Sequence, residues 1–150
     1  MYSNRLIQSI EDHWEEIAAE AIRRIRKEED VPHIQKLSDV ELQRWARDIL
    51  NALQRKALGN DDETLAREYQ GLGRLRFETS VNLYEVVRCL HILKIKIIEF
   101  VRNRGFAQNS MEIYAQEELE HCIRLFFDWV LYNIVRGYED AQQCSARLGR

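Results

Sequence analysis

The chain has 150 residues, nearly half apolar and about a third charged, and its net charge is −3. That length suits one domain with a real core, and the interspersed charges leave no cationic surplus to displace counterions from a nucleic-acid backbone, so no nucleic-acid partner is expected. One proline and six glycines predict long helices joined by few turns, not a sheet of short strands.

The first helix is expected over residues 4–28. Leu6, Ile7, Ile10, Trp14, Ile17, Ala18, Ala21, Ile22 and Ile25 recur at three- and four-residue steps, with Glu11, Glu15, Glu16, Arg23, Arg24 and Lys27 opposite. EEDVPH ends it, because Pro32 keeps Val31 out of the α region. A second helix opens at LSDVELQRW, where Ser38 and Glu41 form a capping box, and GNDD at 59–62 stops it. A short third helix is expected over 63–71. GLGRLRFETSV at 71–81 then reads as a loosened helix or turn because of its two glycines. The fourth helix, capped by Ser80 or Asn82, carries LYEVVRCLHILKIKIIEF and ends at RNRG, with Gly105 as a left-handed stop. The fifth starts at Asn109 or Ser110 and runs to Tyr138 or beyond. Polar Gln142, Gln143, Ser145 and Gly149 suggest a flexible tail over about 140–150.

The last two helices are apolar over more than one stripe. A helix hydrophobic round most of its girth is either central or covered twice. The expectation drawn here is a homodimer through both helices, with Leu119, Ile123, Phe126, Trp129, Val130 and Asn133 at the interface. A single well-filled core is the alternative.

Cys89, Cys122 and Cys144 are odd in number and form no CxxC pair, which fits a reducing cytoplasm. The N-terminus carries acids where a signal peptide needs an apolar run, and no segment is apolar enough to span a bilayer, so no membrane association is expected.

Little in the chain points to catalysis. Glu118 and His121 supply one Glu-x-x-His step, whereas a di-iron bundle needs two such steps and two further glutamates. Asp30 and His33 have the same spacing but straddle Pro32. There is no HExxH, no zinc-spaced His/Cys pair and no GxSxG elbow. GLGR lacks the preceding strand and third glycine of a dinucleotide loop. No catalytic residue, metal ligand or cofactor is therefore expected. His91 is the one open position. It reads first as a core or interface histidine. The alternatives are an axial haem ligand or, through His91-Ile92-Leu93-Lys94, a phosphoacceptor like that of histidine phosphotransfer domains.

Two segments carry a family resemblance. GLGRLRFETSVNLYEVVRCLHILK, through Gly73, Arg74, Ser80, Leu83, Glu85, Val86 and Arg88, resembles the N-terminal sensor domains of the RsbR/RsbRD family. FFDWVLYNIVRGYED, through Phe126, Asp128, Ile134, Gly137 and Tyr138, resembles that family's final helix. The resemblance implies an all-α, globin-like domain of five or six helices that dimerises through its last two and generally binds no haem. It also implies a sensory role in bacterial stressosome proteins, acting on an unidentified regulatory partner through the C-terminal helix. Such proteins normally continue into a STAS domain. None follows in these residues, so the chain is either part of a longer protein or a stand-alone sensor.

Overall fold

The computed structural model describes residues 4–59, 62–104 and 109–149, and every regular element among them is an α-helix. In chain order these are α1 (Asn4–Asp12), α2 (Trp14–Ile25), α3 (Pro32–Gln35), α4 (Asp39–Ala57), α5 (Asp62–Glu78), α6 (Leu83–Asn103) and α7 (Ser110–Arg147). The all-α expectation holds. The boundaries differ in instructive ways.

The expected first helix is two. It breaks at His13, whose backbone leaves the helical region (φ −117°, ψ 24°). The His13 ring nitrogen Nδ1 lies 2.9 Å from the Ser9 carbonyl oxygen, and the ring packs 5.5 Å from that of Phe100. A side chain that reaches back to the carbonyl of the preceding turn is a recognised cause of a kink. Beyond α2, Val31 is extended enough (φ −123°, ψ 64°) for Pro32 to occupy the first position of the one-turn α3. Arg26 and Gln35 close this connector. Arg26 donates to the Gln35 and Leu37 carbonyls, and Gln35 Nε2 donates to those of Ile25 and Glu28.

Of the loosened helix or turn expected over 71–81, residues 71–78 are regular helix, α5 running unbroken to Glu78, and the turn begins only at Thr79. The helix ends in a Schellman arrangement. The Val81 N–H donates to the Arg76 carbonyl at 3.0 Å, and Ser80 takes the left-handed conformation (φ 59°) usually left to glycine. Ser80 thus closes α5 and does not cap α6. Asn82 stands at the head of α6 but gives its side chain to Glu85 rather than to a backbone amide. The expected stop at Gly105 lies outside the described residues. Asn109 caps α7 by accepting from the Glu112 N–H at 2.9 Å, and α7 stays helical through Arg147 where a flexible tail was expected.

Two packing relations position everything else. α6 packs against α7, and the buried Glu120 of α7 accepts from Arg102 of α6 at 3.0 Å. α5 and α7 run parallel: Tyr69 meets Trp129, Gln70 meets Asn133, and Phe77 meets Tyr138, with numbers rising together. This is the tightest seam of the molecule. A Cβ on Gly73 would lie 2.0 Å from the Ile134 carbonyl oxygen, and one on Gly137 would lie 1.9 Å from that of Gln70. Here glycine brings backbone against backbone, and local helix propensity gives way to tertiary contact. Gly71, two residues away, has nothing within 4 Å of where its Cβ would stand. On the other side of α6, α2 packs against α6 and α4, and α1 lies across α4 and α6. Phe126, Ile17, Ile25, Leu42, Leu65 and Leu93 are among the most fully enclosed side chains.

Candidate interaction surfaces

The residues expected at a dimer interface turn inward. Leu119, Ile123, Phe126, Val130 and Asn133 are all buried within the single chain. Trp129 is half-buried, edge-on to Tyr69 at 6.0 Å, with Lys56 Nζ 4.3 Å from its ring centre. Asn133 accepts from Gln70 and donates to the Trp129 carbonyl, both at 2.9 Å. Periodicity identified the buried line of α7 correctly but not what buries it: the chain's own α5 and α6 do. Without unfolding, a second copy cannot reach the five buried ones; Trp129 alone is partly open.

The opposite line of α7 is open. Tyr114, Leu125 and Tyr132 are exposed, spaced by eleven and seven residues. Both spacings return to one face of a helix. On α6, Tyr84, Val87, His91 and Ile95 form a second exposed line at three- and four-residue steps.

Of the core or interface histidine expected, the core reading does not hold for His91. Its backbone belongs to a helix whose Ile92 and Leu93 are buried, but its ring faces outward. Partial cover by its surroundings, with the Lys94 and Arg88 charges, holds its pKa below the ordinary 6.5, so it is mostly neutral at pH 7. Among the described residues the surface carries open grooves. One, between α2 and α6, is lined by Glu16, Glu20, Lys96, Glu99 and Arg104 among others. Others lie between α4 and α5 and beside the C-terminal turns of α5 and α7. His91 lines none of them.

No three His, Cys, Asp or Glu side chains among the described residues gather as a metal site would require. Glu118 and His121 thus have no further ligands beside them. His33 pairs not with Asp30 but with Glu85, its Nδ1 lying 2.8 Å from Oε2. The three cysteines are free. Burial, then the charges of Glu85 and Glu28, pushes the Cys89 thiol up to about 12, so it is not a thiolate nucleophile at neutral pH.

Glu85 is the functional-looking residue that sequence reasoning passed over. Its side chain is wholly enclosed. Oε1 accepts from the backbone N–H groups of His33 at 2.9 Å and Ile34 at 3.2 Å. Oε2 faces His33 Nδ1 and accepts from Asn82 Nδ2 at 2.9 Å. Burial raises its pKa, but the His33, Ile34 and Asn82 hydrogen bonds outweigh it and hold the carboxyl below its usual range. Chemically it is a latch. It satisfies the open amides of α3 and fastens the α2–α4 connector to the head of α6. A signal was present in the sequence: Glu85 shares the apolar line of Cys89 and Ile92, where a charge must be paired.

Among the described residues no helix is long and apolar enough to cross a membrane. Comparison with protein-family models, curated proteins and solved structures finds no match to the chain.

Proposed function

We propose that this chain is a non-enzymatic signalling module, a sensor or protein-interaction domain of the RsbR N-terminal type. In this reading it has a globin-like helical arrangement, is cytoplasmic, and works in a bacterial stress response. It acts as a homodimer, needs no cofactor, and hands its state to a regulatory protein partner through α7. The observation that carries the reading is the line Tyr114, Leu125, Tyr132, exposed along a helix of 38 residues whose other side is bound to its own chain. A rod held on one side, with tyrosine and leucine spaced along a largely polar outer side, is suited to pairing and to transmitting a displacement along its length. The dimer contact thus moves from the buried residues named above to this outer line.

Native mass spectrometry of freshly purified protein tests it. An apo dimer that becomes monomeric on Leu125→Glu with Tyr132→Glu, helicity unchanged, supports the reading. A monomer from the outset, or a dimer indifferent to both changes, removes it. A subunit mass raised by haem or another small molecule would make that molecule the signal. Exposure of His91 favours the phosphotransfer alternative over the haem one. An acid-labile phosphoryl label that is lost in His91→Gln would establish it.

A further inference from the structure

α4 and α5 follow each other in the chain yet hardly touch. Between them runs an open groove of about 610 Å³. Ile49, Ala52, Leu65 and Tyr69 form an apolar floor, and Trp45 and Leu72 stand half-covered on its walls. The rim carries Glu41, Arg44, Asp48, Arg55, Glu68 and Arg76. None of these six makes an ion pair among the described residues. The groove between α2 and α6 is the control: there Glu16 pairs with Arg104 and Lys96 with Glu99. One groove has its charges matched from within. The other leaves them for something outside.

The unmatched charges are ordered. α4 and α5 are joined by a short connection, so distance from it can be read at about 1.5 Å per residue. Arg55 lies nearest, then Glu68 and Asp48 on facing helices, then Arg44 and Arg76. The middle pair is close enough that both acids bear on the Tyr69 hydroxyl, whose pKa is raised by burial and by Glu68 and Asp48. Glu41 lies farthest, so the order is base, acid, base, acid. An apolar floor inside a polar rim is half of a protein interface, and a channel between two helices that hardly touch suits a third helix. The balanced rim offers no net attraction to an anionic membrane.

We propose that the α4–α5 groove docks an amphipathic helix of a partner protein, its apolar stripe on Trp45, Tyr69 and Leu72 and its flanking charges running acid, base, acid, base. The pattern is unequally spaced and ends in opposite charges, so it specifies the direction of the helix as well as its faces. On α4 the steps are seven residues from Arg55 to Asp48, four from Asp48 to Arg44 and three from Arg44 to Glu41. The partner helix should repeat them. This site is independent of any pairing through α7, and its failure would leave the dimer reading untouched.

The test uses two synthetic helices of about 18 residues, roughly five turns. Both carry a leucine stripe. One has Glu, Lys, Glu and Lys at those steps and the other has Lys, Glu, Lys and Glu. Binding of each labelled peptide to the full chain is read by fluorescence anisotropy. The first should bind about tenfold more tightly, and a chain carrying Arg44→Glu, Asp48→Lys and Arg55→Glu should prefer the second. All three side chains are exposed, and circular dichroism checks that the reversed chain still folds. Equal binding, no binding, or a preference unmoved by the reversal overturns the proposal. So does uptake of laurate with neither peptide, which would make the groove a small-amphiphile site. A change in oligomeric mass caused by the reversal would assign it to a second copy and overturn it too.

Discussion

The two sides of α5 follow opposite rules. Toward α7 it meets a backbone so closely that Gly73 and Gly137 admit no Cβ. Toward α4 it stands apart, with a groove between and its charges unmatched. The first side is a finished contact and tolerates nothing. The second resembles half an interface and tolerates much. The difference teaches that composition along one helix can serve cohesion on one face and recognition on the other.

The comparison can be broken hardest at the seam. Gly137→Ala or Gly73→Ala forces the helices apart, and each is expected to cost about 3–5 kcal/mol in chemical denaturation. A near-neutral result would mean that the seam is looser than its geometry. Glu85→Ala comes next. It strands the enclosed His33 and Ile34 amides, at about 2–3 kcal/mol. Its pH signature is separate. The folded carboxyl sits below its ordinary value of 4.5, so its contribution is complete above that pH and is lost as pH falls below it. Glu85→Gln should flatten stability over that acid range, and an unchanged acid-unfolding curve would contradict the latch.

Two changes should strengthen the chain. Ser80→Gly relieves a left-handed serine and should add about 1 kcal/mol. Gly71→Ala fills open space in a helix interior and should add about 0.5–1 kcal/mol. Set beside Gly73→Ala, it sharpens the contrast most cleanly: the same substitution two residues apart should change sign. Smallest of all, reversing Arg44, Asp48 and Arg55 should move stability by no more than about 0.5 kcal/mol, while changing which helix the groove accepts. A large stability loss there would show that the rim is structural after all.

How much of this was legible beforehand varied with the range of the physics. Ser38 with Glu41 and the Asn109 cap are local devices, and they stand where a local reading puts them. The break at His13 has no glycine or proline to announce it; the ring that reaches back to the Ser9 carbonyl also packs on Phe100, nearly ninety residues away. GLGR misled because glycine lowers helix propensity whatever its neighbours, whereas only the distant α7 explains why Gly73 is needed. The same limit hid the owner of the buried α7 stripe. Leu119, Ile123 and Phe126 announce that they must be covered, and a single sequence does not say by whom. The groove was the least visible feature, because Trp45 and Leu72 count as core by pattern and become walls only when α4 and α5 diverge.

The parallel seam also governs when this protein becomes complete. Gln70 and Asn133 are 63 positions apart, and a ribosome adding roughly 5–20 residues per second needs about 3–13 seconds to cover that interval. Throughout it the glycine face of α5 waits without its cover. Contacts this far apart in the chain also form late in refolding, since loop entropy is lost before any cohesion is gained. A ribosome stalled after α6 would therefore display an unfinished domain whose bare α5 is the surface most in need of a chaperone.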